Sequence, residues 1–298
     1  MCLVLWVRVL QIARQNRWPK FLLFVAEYYL CSHKTEIQME KRPVIFISND
    51  DGYRAKGFNE IVECAAKFGD VIALAPDQTQ SGKAHAITMY DPLYLTLRRD
   101  EEHIKVYSCN GTPVDCVKMA YDWLLPELGI TPDLNLSGIN HGSNAAINVL
   151  YSGTMGAAIE ASFYGAPSIG LSLDDHSYDA DFDATIAFAE KIIPAILALD
   201  KPSEPLCLNI NVPVARPEEI KGHRICRQTR GFWKEEFFCR QDPRGRDYFW
   251  LTGGFCNHEP NAEDTDEWAL KNNYIAVVPI KIDLTDYARM EMLKGLKL

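Results

Sequence analysis

The sequence predicts an α/β fold, three-layered around a mostly parallel, Rossmann-like sheet, with a β arm protruding late in the chain. Three observations carry this reading. Val44-Ile45-Phe46-Ile47, opened by Pro43, is a run of β-branched and aromatic residues suited to a strand buried on both faces of a parallel sheet. A helix-spaced apolar pattern and a second apolar run, Val71-Ile72-Ala73-Leu74-Ala75, follow within about 35 residues, and strand, helix, strand over that length is a βαβ unit with a parallel pair. From about residue 222 the texture changes to short segments rich in aromatics, as an excursion from the core would be.

The first strand stops abruptly at Ser48-Asn49-Asp50-Asp51-Gly52. Two adjacent acids thereby stand at a carboxyl-end edge, where open α/β sheets bind ligands. Neighbouring carboxylates repel, and a cation relieves that repulsion most simply. Hard oxygen ligands favour magnesium, manganese or calcium over zinc. Taken alone, the same residues fit a solvated polar turn equally well.

Apolar residues at Phe58, Ile61, Val62, Ala65 and Phe68 predict a helix over 57–68, ended at Gly69-Asp70. The loop after the second strand, 76–83, must then lie on the same sheet edge as Asp50 and Asp51. Residues 86–108 read as strands with a polar turn at 98–102. Gly111-Thr112-Pro113 opens a helix through Leu124, Pro113 suiting a first-turn position. A short strand at 133–137 runs into the polar loop Gly138 to Asn144. Ser152-Gly153-Thr154 then begins a helix whose free N–H groups and dipole suit an anion, though capping by Ser152 or Thr154 also explains these residues. Strands at 168–173 and 207–212 flank a helix at about 181–199. After the aromatic segments, Asp264 and Glu267 have the spacing of a capped helix start, 274–280 is a strand, and 284–297 a helix with a basic tail.

The chain has 298 residues and a formal net charge of -9, which argues against a nucleic-acid scaffold held through phosphates. Nine cysteines without a C-x-x-C pair suggest neither a disulfide framework nor a zinc site, and so a reducing, cytoplasmic setting. The apolar pieces before residue 39 are interrupted by Arg8, Arg14, Arg17 and Lys20. They are too short for the roughly 18–20 apolar residues of a membrane span and lack the order of a secretory signal. Residues 1–38 are therefore expected to lie outside the fold as an N-terminal extension, with Met39 as the start of the functional unit 39–298. Its β arm is expected over about 222–256.

Set side by side, the polar loops carry a family pattern. Ser48-Asn49-Asp50-Asp51-Gly52, Ala75-Pro76-Asp77 with Ser81-Gly82, and Gly111-Thr112-Pro113 with Asp115-Cys116-Val117 come first. Pro132-Asp133-Leu134, Ser137-Gly138-Ile139-Asn140 with Gly142 and Asn144, Tyr151-Ser152-Gly153-Thr154, and Asn209 to Pro213 follow in order. Over about 43–290 the chain resembles the SurE family of survival-protein nucleotidases. The resemblance implies a phosphatase dependent on one divalent cation per subunit, magnesium or manganese, acting on nucleoside 5′- and 3′-monophosphates. It implies metal ligands Asp50, Asp51, Ser81 and Asn140, with Asp50, Asp51 and Asn140 serving catalysis. Asn49, Gly138, Ser152, Gly153 and Thr154 would line a phosphate pocket. It further implies a homodimer or homotetramer formed through the C-terminal arm, and no membrane partner. Ala84 and Asn148 depart from the family, which often has a serine and an acid there.

His85 and His141 flank the expected site as candidate proton donors, Lys83 could meet a phosphate, and Cys116 reads as core. Phe232, Trp233, Tyr248, Phe249 and Trp250 fit either a base-stacking surface or, better, an arm at a subunit boundary. Two other functions compete. One is an acid-pair protein of receiver or haloacid-dehalogenase type, which forms a phospho-aspartate but wants a lysine at a separate strand end. The other is a nucleotide-binding protein without turnover.

Overall fold

The computed structural model describes residues 42–177, 179–200 and 204–296; the extension 1–38 and Met39 lie outside the described residues. A nine-stranded sheet runs through them. In chain order its strands are β1 (Val44–Ser48), β2 (Asp70–Pro76), β3 (Leu95–Asp100), β4 (Ile104–Cys109), β5 (Leu134–His141), β6 (Ser168–Leu173), β7 (Cys207–Val212), β8 (His223–Ile225) and β13 (Ile275–Ile280). Across the sheet the order is β3-β4-β2-β1-β5-β6-β7-β13-β8. The six strands from β4 to β7 are mutually parallel, while β3 and β13 run antiparallel to their inner neighbours. The chain winds outward from β1 in both directions, so the gap between the carboxyl ends of β1 and β5 is the switch point where such sheets hold ligands.

Alternation along each strand divides the core in two. Ile45, Ile47, Leu134 and Leu136 pack against Phe58, Ile61 and Val62 of α1 (Lys56–Ala66) and against Phe188 and Ile193 of α5 (Asp183–Leu197). On the opposite face, Phe46 and Leu74 meet Cys116 and Val117 of α2 (Pro113–Met119) and Ala157 and Ala161 of α4 (Gly153–Ser162). A π turn, Ala120–Leu124, and α3 (Leu125–Leu128) extend α2. Three layers result. Thr112 and Asp115 form a capping box at the start of α2, with Pro113 in its first turn as the sequence predicts.

The late chain departs from the sequence reading in three places. Residues 223–225 form β8 at the edge of the main sheet, because β13 offers them a free parallel edge, so the arm proper begins later. It has a stem, β9 (Gly231–Lys234) paired with β12 (Gly254–Asn257), and a tip, β10 (Phe237–Gln241) paired with β11 (Asp247–Leu251). The cap of α6 (Asp266–Lys271) is Thr265, whose hydroxyl accepts from Trp268 N–H, whereas Asp264 pairs with Arg227 at 2.8 Å. The last helix, α7 (Tyr287–Leu293), is shorter than its apolar pattern suggests. No helix among the described residues is long and apolar enough to cross a membrane.

Candidate active site

Asp50 and Asp51 leave the end of β1 at the switch point. The turn that holds them is closed by Asn49, whose amide donates to Gly52 O at 3.1 Å and accepts from Gly52 N–H at 3.2 Å. Both ends of the Asn49 amide thus have backbone partners within the turn. The loop after β2 folds across this turn, as the parallel pairing requires. Gln80 N–H donates to Asp50 O at 2.7 Å and the Thr79 hydroxyl to Asp51 O at 3.3 Å. Ser81 is brought to the cleft mouth, where it lines a cavity of about 460 Å³ together with Asp50, Asn140 and Ser152.

The start of α4 closes the floor. Ser152 caps the helix by accepting from Met155 N–H at 3.0 Å, and its hydroxyl still lines the cleft. Gly153 permits direct contact with the acid: a β-carbon there would lie 2.7 Å from Asp50 Cβ. Thr154 is fully buried and donates its hydroxyl to Asp50 Oδ1. The first turn of α4, with Gly153 against Asp50, sets the positive end of the helix toward the acid and helps hold its carboxyl down. The Thr154 side chain is thereby committed to the acid. Gly138 also works from below, at φ +131° with the position of its missing β-carbon 2.3 Å from Leu171 O, so β5 and β6 can close up only with glycine there.

From β5, Asn140 donates Nδ2–H to Gly142 O at 2.7 Å, which leaves its Oδ1 as the unpaired acceptor in the cleft wall. His141 N–H donates to Asp51 Oδ2 at 3.3 Å; its ring lies edge-on to Phe182 and meets Ser177 O at 3.0 Å. His85 is elsewhere, bonded to Glu160 at 2.8 Å and lining a different, largely apolar cavity. Lys83 is exposed and Cys116 is wholly inside the core, its thiol pushed well up by burial.

Burial pushes the Asp50 carboxyl up to about 6, with Thr154 working against the shift and the charge of Asp51 adding to it. Asp51 is raised in the same direction, again chiefly by burial, with the His141 N–H opposing. Among the described residues no lysine or arginine forms an ion pair with either acid, nor does any lysine or arginine line the cleft. Asp174 and Glu267 line it as well. Burial raises both, Glu267 to about 7, helped by the charges of Asp266 and Asp174. Such a set of under-compensated carboxylates beside a hydroxyl and an amide oxygen fits a hard divalent cation. No cluster of three or more His, Cys, Asp or Glu suited to a metal occurs among the described residues, so a cation here would rely on neutral oxygen donors as well.

Sequence reasoning missed Asp174, His176, Glu267 and Phe255 in the cleft wall. Trp233 was singled out only as one member of an aromatic cluster. The structure splits that cluster: Trp233 lines the cleft, whereas Phe249 and Trp250 stand 60% and 62% exposed on the arm tip.

Comparison with known proteins agrees with this geometry. The profile of the family described as "Survival protein SurE" matches residues 45–235. The "5'-nucleotidase SurE" of Flavobacterium johnsoniae is 47% identical over 260 residues, covering 87% of this chain and 98% of that one. That of Christiangramia forsetii is 48% identical over 249 residues, covering 83% and 94%. The crystal structure of the SurE protein from Aquifex aeolicus superposes with a TM-score of 0.72 at 35% identity, over 85% of this chain and 98% of its own. From the acid pair of β1 to the late strands of the sheet, the chain belongs to the SurE family.

Proposed function

We propose that this chain is a 5′-nucleotidase: a phosphomonoesterase that hydrolyses nucleoside 5′-monophosphates, and 3′-monophosphates as well, to nucleoside and inorganic phosphate. One divalent cation, magnesium or manganese, would be held by Asp50, Asp51, Ser81 and Asn140. The observation that carries this reading is the charge of the cleft. A phosphate dianion cannot settle among Asp50, Asp174 and Glu267 without a compensating charge, and among the described residues no lysine or arginine lining the cleft supplies one. A bound divalent cation would supply it, neutralising phosphoryl oxygens and acidifying water.

The protein's own groups do the rest. The Thr154 hydroxyl holds Asp50 Oδ1, and the carboxylate so oriented would help hold the cation, whose role would be to activate water. Ser152 and the N–H of Gly153 present donors where a phosphate oxygen would rest. Asp50, Asp51 and Asn140 are the groups assigned to catalysis. The phospho-aspartate alternative wants a lysine at a separate strand end, and among the described residues no lysine lines the cleft. The test is release of phosphate from a panel of nucleoside monophosphates with magnesium, manganese or chelator. Turnover that continues undiminished in chelator would overturn the metal assignment, and no turnover with any metal would leave a binding protein.

We also assign the arm to self-association. Its tip presents Phe237, Phe249, Trp250 and Leu251, 60–71% exposed, on a two-stranded sheet that cannot bury them itself. A homodimer or homotetramer through this arm would cover them, and sedimentation of a form lacking 236–252 should show a smaller particle than the full chain.

A further inference from the structure

We propose that Trp233 is the specificity-determining residue on which the nucleobase of the substrate stacks, with Phe255 beside it completing an aromatic wall. The inference rests on the nucleotidase reading and adds to it where the base goes and which bases are favoured.

Trp233 and Phe255 are directly opposite one another on the antiparallel stem of the arm, β9 against β12, and so share one face of it. Alternation sends Phe232 and Cys256 to the other face, where Phe232 packs edge-on against His258. The face with Trp233 and Phe255 lines the same cleft as Asp50 and Ser152. A substrate with its phosphate at the start of α4 would therefore extend toward a wall that is aromatic on one side and acidic, through Asp174 and Glu267, on another.

The wall is preorganised. Trp233 Nε1–H donates to Asn148 Oδ1 at 2.8 Å, so the indole's one polar atom is satisfied and its ring is tied to the 3-10 turn Ala146–Leu150. Asn148, one of the two departures from the family pattern, thus has a defined task. Phe255 is set by Gly231, where a β-carbon would lie 2.4 Å from the ring's Cζ; only glycine lets the ring occupy that space. The stem itself is tied down by Asp266, which accepts from Ala146 N–H at 2.8 Å, Thr229 N–H at 2.9 Å and the Thr229 hydroxyl at 2.5 Å. A half-buried tryptophan fixed in orientation, edge-to-face with Phe255 at 6.2 Å between ring centroids and lining a polar cleft, suits a flat π system. Stacking of this kind tolerates every base, and the larger ring system of purines gains more from it than that of pyrimidines.

The experiment compares the wild type with Trp233→Leu on adenosine 5′-monophosphate and on ribose 5-phosphate, which offers the same phosphoester without a base. The expected result is a roughly ten- to hundred-fold fall in the ratio of kcat/KM between the two substrates, carried by KM for the nucleotide. Trp233→Phe should keep most of the ratio, and Asn148→Ala, which frees the indole, should lower it less than Trp233→Leu does. A Trp233→Leu enzyme that loses activity equally on both substrates, or on neither, would overturn the inference, since a merely structural tryptophan cannot tell them apart. A wild type inactive on both with every metal would instead sink the nucleotidase reading, and the stacking wall with it.

Discussion

The cleft has two sides built by different rules. Its floor is made by the parallel sheet: Asp50 and Asp51 at the end of β1, Asn140 at the end of β5, and α4 pressing Gly153 and Thr154 against Asp50. Its aromatic wall is made by a two-stranded stem outside that sheet, pinned to the core through Asp266 and Asn148. Carboxylates are buried in the floor at an energetic cost, whereas the aromatic wall has its one polar ring atom, the indole N–H, bonded within the protein. The floor should therefore govern whether chemistry occurs, and the wall which substrate is used and how firmly.

The sharpest break of that contrast is Asp50→Asn. Activity should fall on the order of 10³-fold, because the amide keeps the volume and loses the charge that holds the cation. Stability should move the other way. Folding raises the Asp50 carboxyl from 3.8 to about 6, so the folded state favours its protonated form. The stability this group lends is complete below about pH 4 and is lost as pH rises through 6. At pH 8 in chelator the asparagine variant should be the more stable, by about 3 kcal/mol at most, read as a higher midpoint in urea. A variant no more stable than the wild type in chelator would mean that the buried charge is compensated by the protein itself.

Thr154→Val comes next. It preserves shape and burial but removes the hydroxyl that grips Asp50 Oδ1. Hydrolysis should fall about 10²-fold through misplacement of the acid, with the metal concentration for half-activity rising. Equal metal dependence in both proteins would show that Thr154 is only a packing residue.

The floor was far more legible in the sequence than the wall, for physical reasons. Val44 to Ile47 and Val71 to Ala75 are buried on both faces, so they read as continuous apolar runs, and parallel pairing compels the loops that follow them to meet. Strands β6 and β7 have the very bounds that their residues predict. What local pattern could not convey was which donor a polar residue answers to. Asn49 and Thr154 carry the right chemistry for a phosphate pocket, yet their partners are Gly52 and Asp50. Glu267 and Phe255 reach the cleft only through long-range docking of the stem and of α6, and Asp174 through the register of β6 beside β5. Alternation within the stem could have separated Trp233 from Phe232, but pairing it with Phe255 requires the length of the intervening hairpin, which a single sequence does not reveal.

Asp266→Ala tests how the wall depends on the core. Its carboxylate is fully buried and accepts from the N–H groups of Ala146, Thr229 and Glu267 and from the Thr229 hydroxyl; removing it strands donors from separate segments. We expect a loss of about 3 kcal/mol in denaturant unfolding, together with a raised KM for nucleotides from a loosened stem. An unchanged KM at reduced stability would separate the anchoring of the fold from that of the wall.

The smallest effect belongs to Glu267, where wall and floor meet. Burial first, then the charges of Asp266 and Asp174, raise its carboxyl from 4.5 to about 7. The folded state therefore binds this proton more tightly than the unfolded chain does. The contribution to stability is complete below about pH 4.5, declines as pH climbs to 7, and is absent above it. Glu267→Gln cannot titrate, so its stability relative to the wild type should rise across that same window and level off beyond it. Because the side chain borders the open cleft, solvent screens much of the shift, and the plateau should amount to about 1 kcal/mol. Paired unfolding curves at pH 5 and pH 8 measure it. A difference that is the same at both values would mean that Glu267 is ionised throughout, and that the acidic side of the wall carries a full charge even near pH 5.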